Sequence, residues 1–481
     1  MKPLTICPGC GRSDNLDKLF CPHCRSQLSR GRAVPEEEAE AIEFGRLQAL
    51  KRAKKKSYAI RGGLAAVVLI ILALMFWNPG NQHFEPTTSL SAQFSDFEWN
   101  MYQGGPALSG SRDLNQLAFL NTCLIFDCIS NSDSNVGGVV WRYQANGAIS
   151  SSPAVTKEAV YVSTDDSRIL ALELETGNPI WEYSAEAPTD SSPAIAGDLL
   201  YVALREGRFV ALDRNNGTVV WDFQSGEPFF SSPSVHNGIA YIGSGDEKFY
   251  AFDALTGQQI WEYEAGSRIA NASAVNEDVV AFTTQDNVLH IVDAFNGDLR
   301  LDYPIGSSYS APGMDGKLLF VSDLNGVVRA IDWTKIQYPM EKTARRFRMT
   351  MFLWGFEDTP PVMKGFVWKF RNPREVFQNT PTIANGMVYV PSLDGQIYKL
   401  SASTGDPQWR YTTEGTISES VSVVGGLMLA GDSTGKVHGV DVETGKKIWE
   451  MQLDGRISST PVVSAEMLFV ATQNGSLYAI K

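Results

Sequence analysis

Short alternating apolar segments recur through most of the C-terminal part of the chain. Residues 190–223 show the unit. Four segments in it either alternate apolar and polar positions or are apolar throughout, and Gly, Asn or Asp residues separate them. The segments are 191–195, 199–203, 208–213 and 219–223. Segments of this length and pattern predict β-strands, and the residues between them predict tight turns. The pattern therefore predicts a four-stranded antiparallel unit.

Tryptophan marks the period of this unit. The last predicted strand of every copy but one carries a tryptophan, and the first four tryptophans of this series are 40 residues apart. The series is Trp141, Trp181, Trp221 and Trp261, then Leu301 in the fifth slot, then Trp368, Trp409 and Trp449. A period near 40 residues with four short strands is typical of a β-propeller in which each copy forms one blade.

The opening strand of each copy gives the number of blades. It occurs eight times, as SSPAV or a variant, beginning at Ser151, Ser191, Ser231, Asn271, Ser310, Asn379, Glu419 and Ser459. The eighth copy ends after its third strand, while residues 139–143 (VVWRY) form a fourth-strand pattern that belongs to no other copy. Pairing this segment with the last copy would close the ring and remove exposed strand edges. We therefore predict an all-β, eight-bladed propeller.

The turn before each tryptophan resembles that of a known superfamily. The element D-x-x-T-G-x-x-x-W, seen at 253–261 and 441–449, resembles the tryptophan-docking repeat of pyrroloquinoline quinone-type propellers, and residues 99–112 are similar to the lead-in of that superfamily. The resemblance covers about residues 96–481. It implies the fold but not one function, because the superfamily holds quinoprotein dehydrogenases and also the propeller lipoprotein of the outer-membrane β-barrel assembly machinery.

The residues that the resemblance would require of a dehydrogenase are not evident. That branch uses a quinone held by calcium on the propeller axis, a carboxylate base and, for alcohols, adjacent cysteines. The chain has no Cys-Cys pair, and Cys123 and Cys128 precede the first blade, where they can form a local disulfide. We interpret His236, His290 and His438 as lying at non-equivalent positions of blades 3, 4 and 7. We therefore expect no enzymatic activity and no bound pyrroloquinoline quinone.

A long apolar run precedes the lead-in. Residues 62–77 are wholly apolar, and with residues 58–61 the run reaches about 20 residues, enough for a helix to cross the hydrocarbon core of a bilayer. Lysine and arginine fill most of residues 51–56, and Asn-Pro-Gly at 78–80 ends the run. The basic residues on the N-terminal side predict a single transmembrane helix with the N-terminus in the cytoplasm and the propeller outside.

The net charge supports this division. The formal net charge is −13. Residues 1–61 contain 13 Lys/Arg and 7 Asp/Glu, a net charge of +6, and residues 62–481 contain 28 Lys/Arg and 47 Asp/Glu, a net charge of −19. An acidic propeller lacks the cationic surface that phosphate binding needs, so we expect the propeller not to bind nucleic acid.

Two CxxC pairs near the N-terminus predict a metal site. Cys7, Cys10, Cys21 and Cys24 have the spacing at which two tight turns bring four thiolates to one tetrahedral Zn²⁺. The array resembles the small bacterial zinc-ribbon family. Disulfides are the alternative, and the reducing cytoplasm disfavours them. We predict structural zinc bound by these four cysteines.

Blade 5 departs from the repeat. About 28 extra residues separate its third and fourth strands, within an insertion over 334–366 that is basic at first and then apolar and aromatic. The residues that we predict to contact a partner are Arg345, Arg346, Phe347, Arg348, Phe352 and Trp354. On an acidic propeller this segment is the best candidate for contact with a protein or a membrane surface, and a helix that only covers the propeller is an equal alternative.

These features predict the organisation of the whole chain. In order they are a zinc ribbon (1–30), a helical basic stalk (31–57), a transmembrane helix (58–78), a linker with the propeller lead-in (79–135) and the propeller (136–481). We expect a membrane-anchored scaffold that binds other envelope proteins through propeller loops or the blade 5 insertion, and the resemblance implies envelope protein assembly. The alternative is a quinoprotein-like oxidoreductase or small-ligand sensor that uses the propeller axis.

Overall fold

The computed structural model describes residues 138–464 and 466–481 continuously. Ahead of these it describes short pieces only, at 4–7, 13–15, 32–35, 38–42, 44–45, 48, 86, 105 and 111–112. The chain divides into two compact units, Met1–Gln82 and His83–Lys481.

The described part of the first unit contains a small antiparallel sheet. Its strands are β1 (Leu4–Ile6), β2 (Ser13–Asn15) and β3 (Arg32–Val34), in the order β2-β1-β3. Cys7 directly follows β1 and its side chain is buried. Helical residues follow within the predicted stalk, at 38–42, 44–45 and 48.

Several sequence predictions fall outside the described residues. They are the zinc ligands Cys10, Cys21 and Cys24, the disulfide candidates Cys123 and Cys128, and the transmembrane helix over 58–78. In the part of the chain that the structure does describe, no helix combines the length and the hydropathy that a membrane crossing requires. Nor do three or more potential metal ligands come together there. The zinc site, the disulfide and the span stay predictions.

The second unit contains the eight-bladed propeller that the repeat predicts. Each blade is an antiparallel sheet in which consecutive strands run from the inner to the outer edge, and the inner strands of successive blades contact one another around the axis. Two strands precede blade 1, β4 (Ser111–Arg112) and β5 (Val139–Gln144).

The first four blades are regular. Their strands are, in blade 1, β6 (Ala154–Val155), β7 (Ala159–Thr164), β8 (Arg168–Glu173) and β9 (Pro179–Ser184); in blade 2, β10 (Ala194–Ala196), β11 (Leu199–Ala203), β12 (Arg208–Asp213) and β13 (Val219–Gln224); in blade 3, β14 (Ser234–His236), β15 (Ile239–Gly243), β16 (Lys248–Asp253) and β17 (Gln259–Glu264); and in blade 4, β18 (Ala274–Val275), β19 (Val279–Thr283), β20 (Val288–Asp293) and β21 (Leu299–Pro304).

The last four blades contain the irregular features. Their strands are, in blade 5, β22 (Gly313–Asp315), β23 (Leu318–Asp323), β24 (Val327–Asp332) and β25 (Phe366–Arg371); in blade 6, β26 (Thr382–Ala384), β27 (Met387–Pro391), β28 (Gln396–Ser401) and β29 (Pro407–Thr412); in blade 7, β30 (Ser422–Val424), β31 (Leu427–Gly431), β32 (Lys436–Asp441) and β33 (Lys447–Gln452); and in blade 8, β34 (Val462–Ser464), β35 (Met467–Ala471) and β36 (Ser476–Ile480).

The first propeller strand closes the ring, as the sequence predicts. Strand β5 is the outer strand of blade 8 and pairs antiparallel with β36, with Trp141 opposite Ala479. No blade is left with three strands, because β5, which precedes blade 1, joins β34, β35 and β36 in one sheet.

Most blades are joined to the next by a tryptophan. In blade 3 the turn after β16 is fixed by Asp253, whose Oδ1 accepts hydrogen bonds at 2.8 Å from both the amide and the hydroxyl of Thr256. Trp221 of blade 2 donates its indole N–H to the carbonyl of Ala254 in this turn, at 2.9 Å. A Cβ atom on Gly257, which has φ +72°, would lie 2.6 Å from the Trp221 ring. The turn and the tryptophan of the preceding blade therefore form one packed unit.

The same indole hydrogen bond forms at six of the eight junctions between blades. Its other donors are Trp141, Trp181, Trp261, Trp368 and Trp409. The indole N–H of Trp449 in blade 7 is buried without a partner among the described residues. Blade 8 has no continuous turn to accept it, because the third and fourth strands of that blade come from opposite ends of the propeller chain.

Leu301 and the blade 5 insertion both alter the junction between blades 4 and 5. The insertion replaces the turn onto which a blade 4 tryptophan would dock, and leucine fills that slot. A Cβ atom on Gly365, at the end of the insertion, would lie 3.2 Å from Leu301 Cδ2, and the buried Trp333 joins the same apolar cluster as Leu301. The insertion thus rebuilds the junction between blades 4 and 5 with a different set of side chains.

Candidate functional site

Strand order decides which connections share a face of the propeller. Because neighbouring strands in a blade are antiparallel, the connections from first to second and from third to fourth strand lie on one face, which we call the turn face. The connections from second to third strand and the links between blades lie on the other, the linker face. The insertion joins β24 to β25, so it leaves the blade on the turn face.

The insertion contains one helix, Glu341–Leu353. A Schellman motif ends it: the amides of Gly355 and Phe356 donate to the carbonyls of Phe352 and Met351, both at 2.9 Å, and Gly355 has φ +79°. This reversal directs the chain after the helix into solvent, where residues 353–356 are all exposed.

Ion pairs hold the helix at both ends. Lys364 donates to Glu341 at 2.9 Å, which lowers the pKa of that carboxyl, and Lys342 pairs with Asp302 of blade 4. Arg348 makes a forked contact with Glu357, with Nε 3.1 Å from Oε1 and Nη2 3.0 Å from Oε2. These contacts use all but one of the carboxylates of the insertion.

The helix covers the outer strand of blade 4. In the other seven blades the residue equivalent to Asp302 is exposed and the one equivalent to Tyr303 is half-buried. Asp302 is half-buried and Tyr303 is buried, so the helix shields an edge that elsewhere faces solvent. Burial raises the pKa of the Tyr303 hydroxyl, while Arg329 and Arg345 nearby oppose the rise. The covering interpretation therefore holds for this face of the helix.

Beyond this face the insertion exposes large apolar side chains. Met340, Phe347, Leu353, Trp354 and Phe356 are each 64–73% exposed. We call these five residues the insertion surface. Clusters of this kind on a folded domain mark contacts with proteins or membranes.

The six residues that the sequence marks as contact candidates divide between the two faces. Arg346, Phe347, Arg348 and Trp354 are exposed, as a contact requires. The other two, Arg345 and Phe352, are half-buried on the side turned towards blade 4. Within the described chain, neither Arg345 nor Arg346 forms an ion pair with a carboxylate.

The linker face carries two exposed aromatic residues beside the axis. Each opening strand is preceded by one residue at the mouth of the ring; in chain order these are Ser150, Asp190, Phe230, Ala270, Tyr309, Gln378, Ser418 and Ser458. Phe230 is 40% exposed and Tyr309 is 58% exposed, on either side of blade 4. Sequence reasoning missed this pair, although the register of the opening strands places both.

The loops that carry these aromatics are held by backbone hydrogen bonds. The amide of Gly245 donates to the carbonyl of Pro228 at 3.0 Å, and the amide of Leu324 donates to Ser307 at 2.8 Å. Further in, the amide of Ser192 donates to the hydroxyl of Ser232 at 3.0 Å and so joins blade 2 to blade 3. Hydrogen bonds therefore hold the loops that carry Phe230 and Tyr309 in place.

The axial side of blade 7 differs from that of the other blades. Strand β4 of the lead-in pairs in parallel with β30, the inner strand of this blade, and contacts β26 of blade 6. Glu419 replaces the first serine of the opening strand here, and burial raises its pKa to about 8 against the opposing effect of Arg456. Among the described residues, Glu419 belongs to no group of three or more potential metal ligands.

His290 and His438 occupy equivalent positions, contrary to the interpretation from sequence. Each is the third residue of the third strand of its blade, and each ring Nδ1 lies 3.1 Å from a tyrosine hydroxyl, of Tyr263 and Tyr411 respectively. His236 alone stands elsewhere, at the end of β14.

The other ring nitrogen distinguishes the two sites. His438 Nε2 lies 3.0 Å from Asp432 Oδ2; burial opposes ionisation of Asp432, but its hydrogen bonds, first that with His438, outweigh burial and lower its pKa. In blade 4 the position equivalent to Asp432 is Thr284, and His290 Nε2 is buried with no hydrogen-bond partner in the described chain. Burial lowers the pKa of His290 to about 4.

His290 is expected to make the propeller less stable as the pH falls. Its folded pKa lies below the ordinary value near 6.5, so the unfolded chain takes up a proton first, and the free energy of unfolding falls between about pH 6.5 and pH 4. Between pH 7 and pH 5 the loss from this group is about 2 kcal/mol. Urea unfolding of the wild type and of His290→Leu at both pH values checks this. An equal loss in both proteins would contradict it.

Comparison with known proteins identifies the repeat. A family model described as outer membrane protein assembly factor BamB matches residues 125–192, 171–346 and 364–481. Among curated proteins none matches the chain.

Solved structures with the same fold include BamB, named as an assembly factor, and enzymes. BamB from Moraxella catarrhalis is 15% identical, with a TM-score of 0.57, over 72% of this chain and 98% of its own. Quinohemoprotein alcohol dehydrogenase from Comamonas testosteroni is 14% identical, with a TM-score of 0.62, over 80% of both chains. A europium-containing methanol dehydrogenase is also 14% identical, with a TM-score of 0.62, over 80% of this chain and 98% of its own.

The expectation that the chain is not an enzyme is corrected by these likenesses. The dehydrogenases share the propeller as fully as BamB does, so the fold is common to an assembly factor and to enzymes. At these identities the likeness extends to the fold alone. The missing Cys-Cys pair therefore does not decide against catalysis, and enzyme status is not established.

Proposed function

The chain belongs to the family of the outer membrane protein assembly factor BamB, and from this premise we propose that it is a scaffold that binds other envelope proteins during their assembly. The family match supports this role because it spans most of the propeller, over 125–346 and 364–481. The predicted transmembrane helix would tether the scaffold to the membrane and keep the propeller on the side where such partners are assembled.

The aromatic pair at the mouth of the linker face carries the proposal. Phe230 and Tyr309 expose large side chains where the other six blades present small or polar residues. Tyrosine and phenylalanine lose little conformational entropy on binding and are enriched in the cores of protein interfaces. The rigid loops beneath them keep this pair oriented before a partner arrives, which lowers the ordering cost of association.

Removal of the aromatic pair is expected to weaken partner binding by at least about tenfold, because interface aromatics of this kind commonly contribute more than 1 kcal/mol each. The variant is Phe230→Ser combined with Tyr309→Ser in the full chain. The measurement is chemical cross-linking in the native membrane, followed by affinity capture and quantitative mass spectrometry of the envelope proteins recovered.

The matched control is Val219→Ser with Val220→Ser. These two valines are also exposed, at 40% and 49%, but lie on the outer strand of blade 2. Recovery is expected to be unchanged in the control. If the aromatic variant recovers the same proteins at the same yield as the wild type, the mouth of the linker face is not the binding surface.

A further inference from the structure

We propose that the insertion surface contacts an anionic phospholipid bilayer, which goes beyond the protein-binding role proposed above. The family match stops at residue 346 and resumes at 364, so most of this surface lies outside the family pattern. Strand order places the insertion on the turn face, opposite the aromatic mouth. A lipid contact here would leave the linker face free for proteins.

The insertion carries a net positive charge, unlike the rest of the propeller, and this charge favours contact with an anionic surface. Residues 138–481 contain 27 Lys/Arg and 41 Asp/Glu, whereas the insertion over 334–366 contains 6 Lys/Arg and 3 Asp/Glu. Without the insertion the propeller is strongly acidic and would be repelled by anionic lipid. The insertion therefore combines a net positive charge with the apolar content that suits such a membrane.

The ion pairs of the insertion leave one exposed arginine, Arg346, for headgroups. Lys342, Lys364 and Arg348 are paired with carboxylates of the protein, whereas Arg345 and Arg346 form no ion pair within the described chain. Arg346 is exposed and precedes Phe347 of the insertion surface. A guanidinium can bind a lipid phosphate through two parallel hydrogen bonds while its apolar neighbour enters the interfacial region.

The shape of the exposed part suits a bilayer better than a protein groove. Leu353, Trp354 and Phe356 follow one another around the end of the helix, and each is about 70% exposed. They therefore project from the surface rather than line a recess. Tryptophan and phenylalanine beside arginine are the residues that enter the interfacial region of membranes, where the ring is apolar and its edge is hydrated.

The experiment places a photoactivatable probe in the full chain. Trp354→p-benzoylphenylalanine is reconstituted into vesicles of phosphatidylethanolamine and phosphatidylglycerol at about 3:1, and in parallel into phosphatidylcholine alone. The same probe at Ile180, which is 50% exposed on the outer strand of blade 1, is the matched control. Lipid adducts on the probe peptide are quantified by mass spectrometry after irradiation. This readout does not depend on what anchors the chain to the vesicle.

We expect at least fivefold more lipid adduct at position 354 than at position 180 in the anionic vesicles, and a severalfold lower yield in phosphatidylcholine. Arg346→Gln is expected to lower the yield at least twofold, whereas Arg374→Gln, an exposed arginine on the linker face, is expected to leave it unchanged. Equal adduct at the two probe positions would overturn the proposal. An adduct at 354 with a second copy of the chain in place of lipid would overturn it as well. So would a yield that is indifferent to both anionic lipid and Arg346.

Discussion

Replacement of Val139–Gln144 by a Gly-Ser segment of the same length is expected to lower the free energy of unfolding of the propeller by more than about 5 kcal/mol. The segment is strand β5, which completes blade 8 and closes the ring. Its loss removes Trp141, and truncation of a buried tryptophan alone costs about 3 to 5 kcal/mol. It also removes Tyr143 and the ladder to β36, which leaves that strand as an open edge.

The measurement is urea unfolding followed by tryptophan fluorescence and far-ultraviolet circular dichroism. The matched control replaces only Val139 and Val140 with serine, since both are nearly half exposed at the start of the strand. The control is expected to lose less than about 1 kcal/mol. If the Gly-Ser variant unfolds at the urea concentration of the wild type, β5 does not close the ring in solution.

Gly257→Ala is expected to destabilise the propeller by about 3 kcal/mol, although it adds one methyl group. Gly257 has φ +72°, a conformation that costs alanine roughly 1 kcal/mol or more. The new Cβ atom would also lie 2.6 Å from the ring of Trp221, so the ring or the turn must shift, which typically costs a further 1 to 3 kcal/mol. The change therefore acts on the junction between blades 2 and 3.

A second glycine separates the two contributions. Gly266 has φ +74° but no atom within 4 Å of the position that a Cβ would take, so Gly266→Ala carries the backbone cost alone, about 1 kcal/mol. Thermal and urea unfolding of both variants checks the difference. Equal destabilisation at the two positions would show that contact with Trp221 contributes nothing to the cost.

The sequence predicts the blades and the closure because both depend on local, repeated patterns. Most copies carry their own four strands, turn and tryptophan. The eight opening strands and the unassigned segment at 139–143 therefore suffice to count the blades and to close the ring. The equivalence of His290 and His438 was also readable. Each stands three residues before the aspartate at the end of its strand, Asp293 and Asp441, which comparison of the copies would have shown.

Features that depend on contacts between blades could not be predicted in this way. Leu301 and the insertion both appear in the sequence as departures from the repeat, but their connection follows only once each tryptophan is known to dock on the next blade. Similarly, the half-buried face of the insertion helix packs on the outer strand of blade 4, and nothing in residues 341–353 indicates that neighbour. The pattern shows an exposed and apolar helix without showing which side is covered.

Ring closure has a consequence for the order in which the protein is made and folded. Arg142 and Ser476, whose side chains are hydrogen-bonded across the closing sheet, are 334 residues apart in the chain. During synthesis β5 can pair with β36 only after almost the whole propeller has been made, whereas blades 1 to 7 can form from local contacts. A chain that stops before β36 would keep an open arc with unpaired edges at both ends. Only a chain that includes β36 can therefore pair β5 and bury the strand edges that proteases and aggregating partners would recognise.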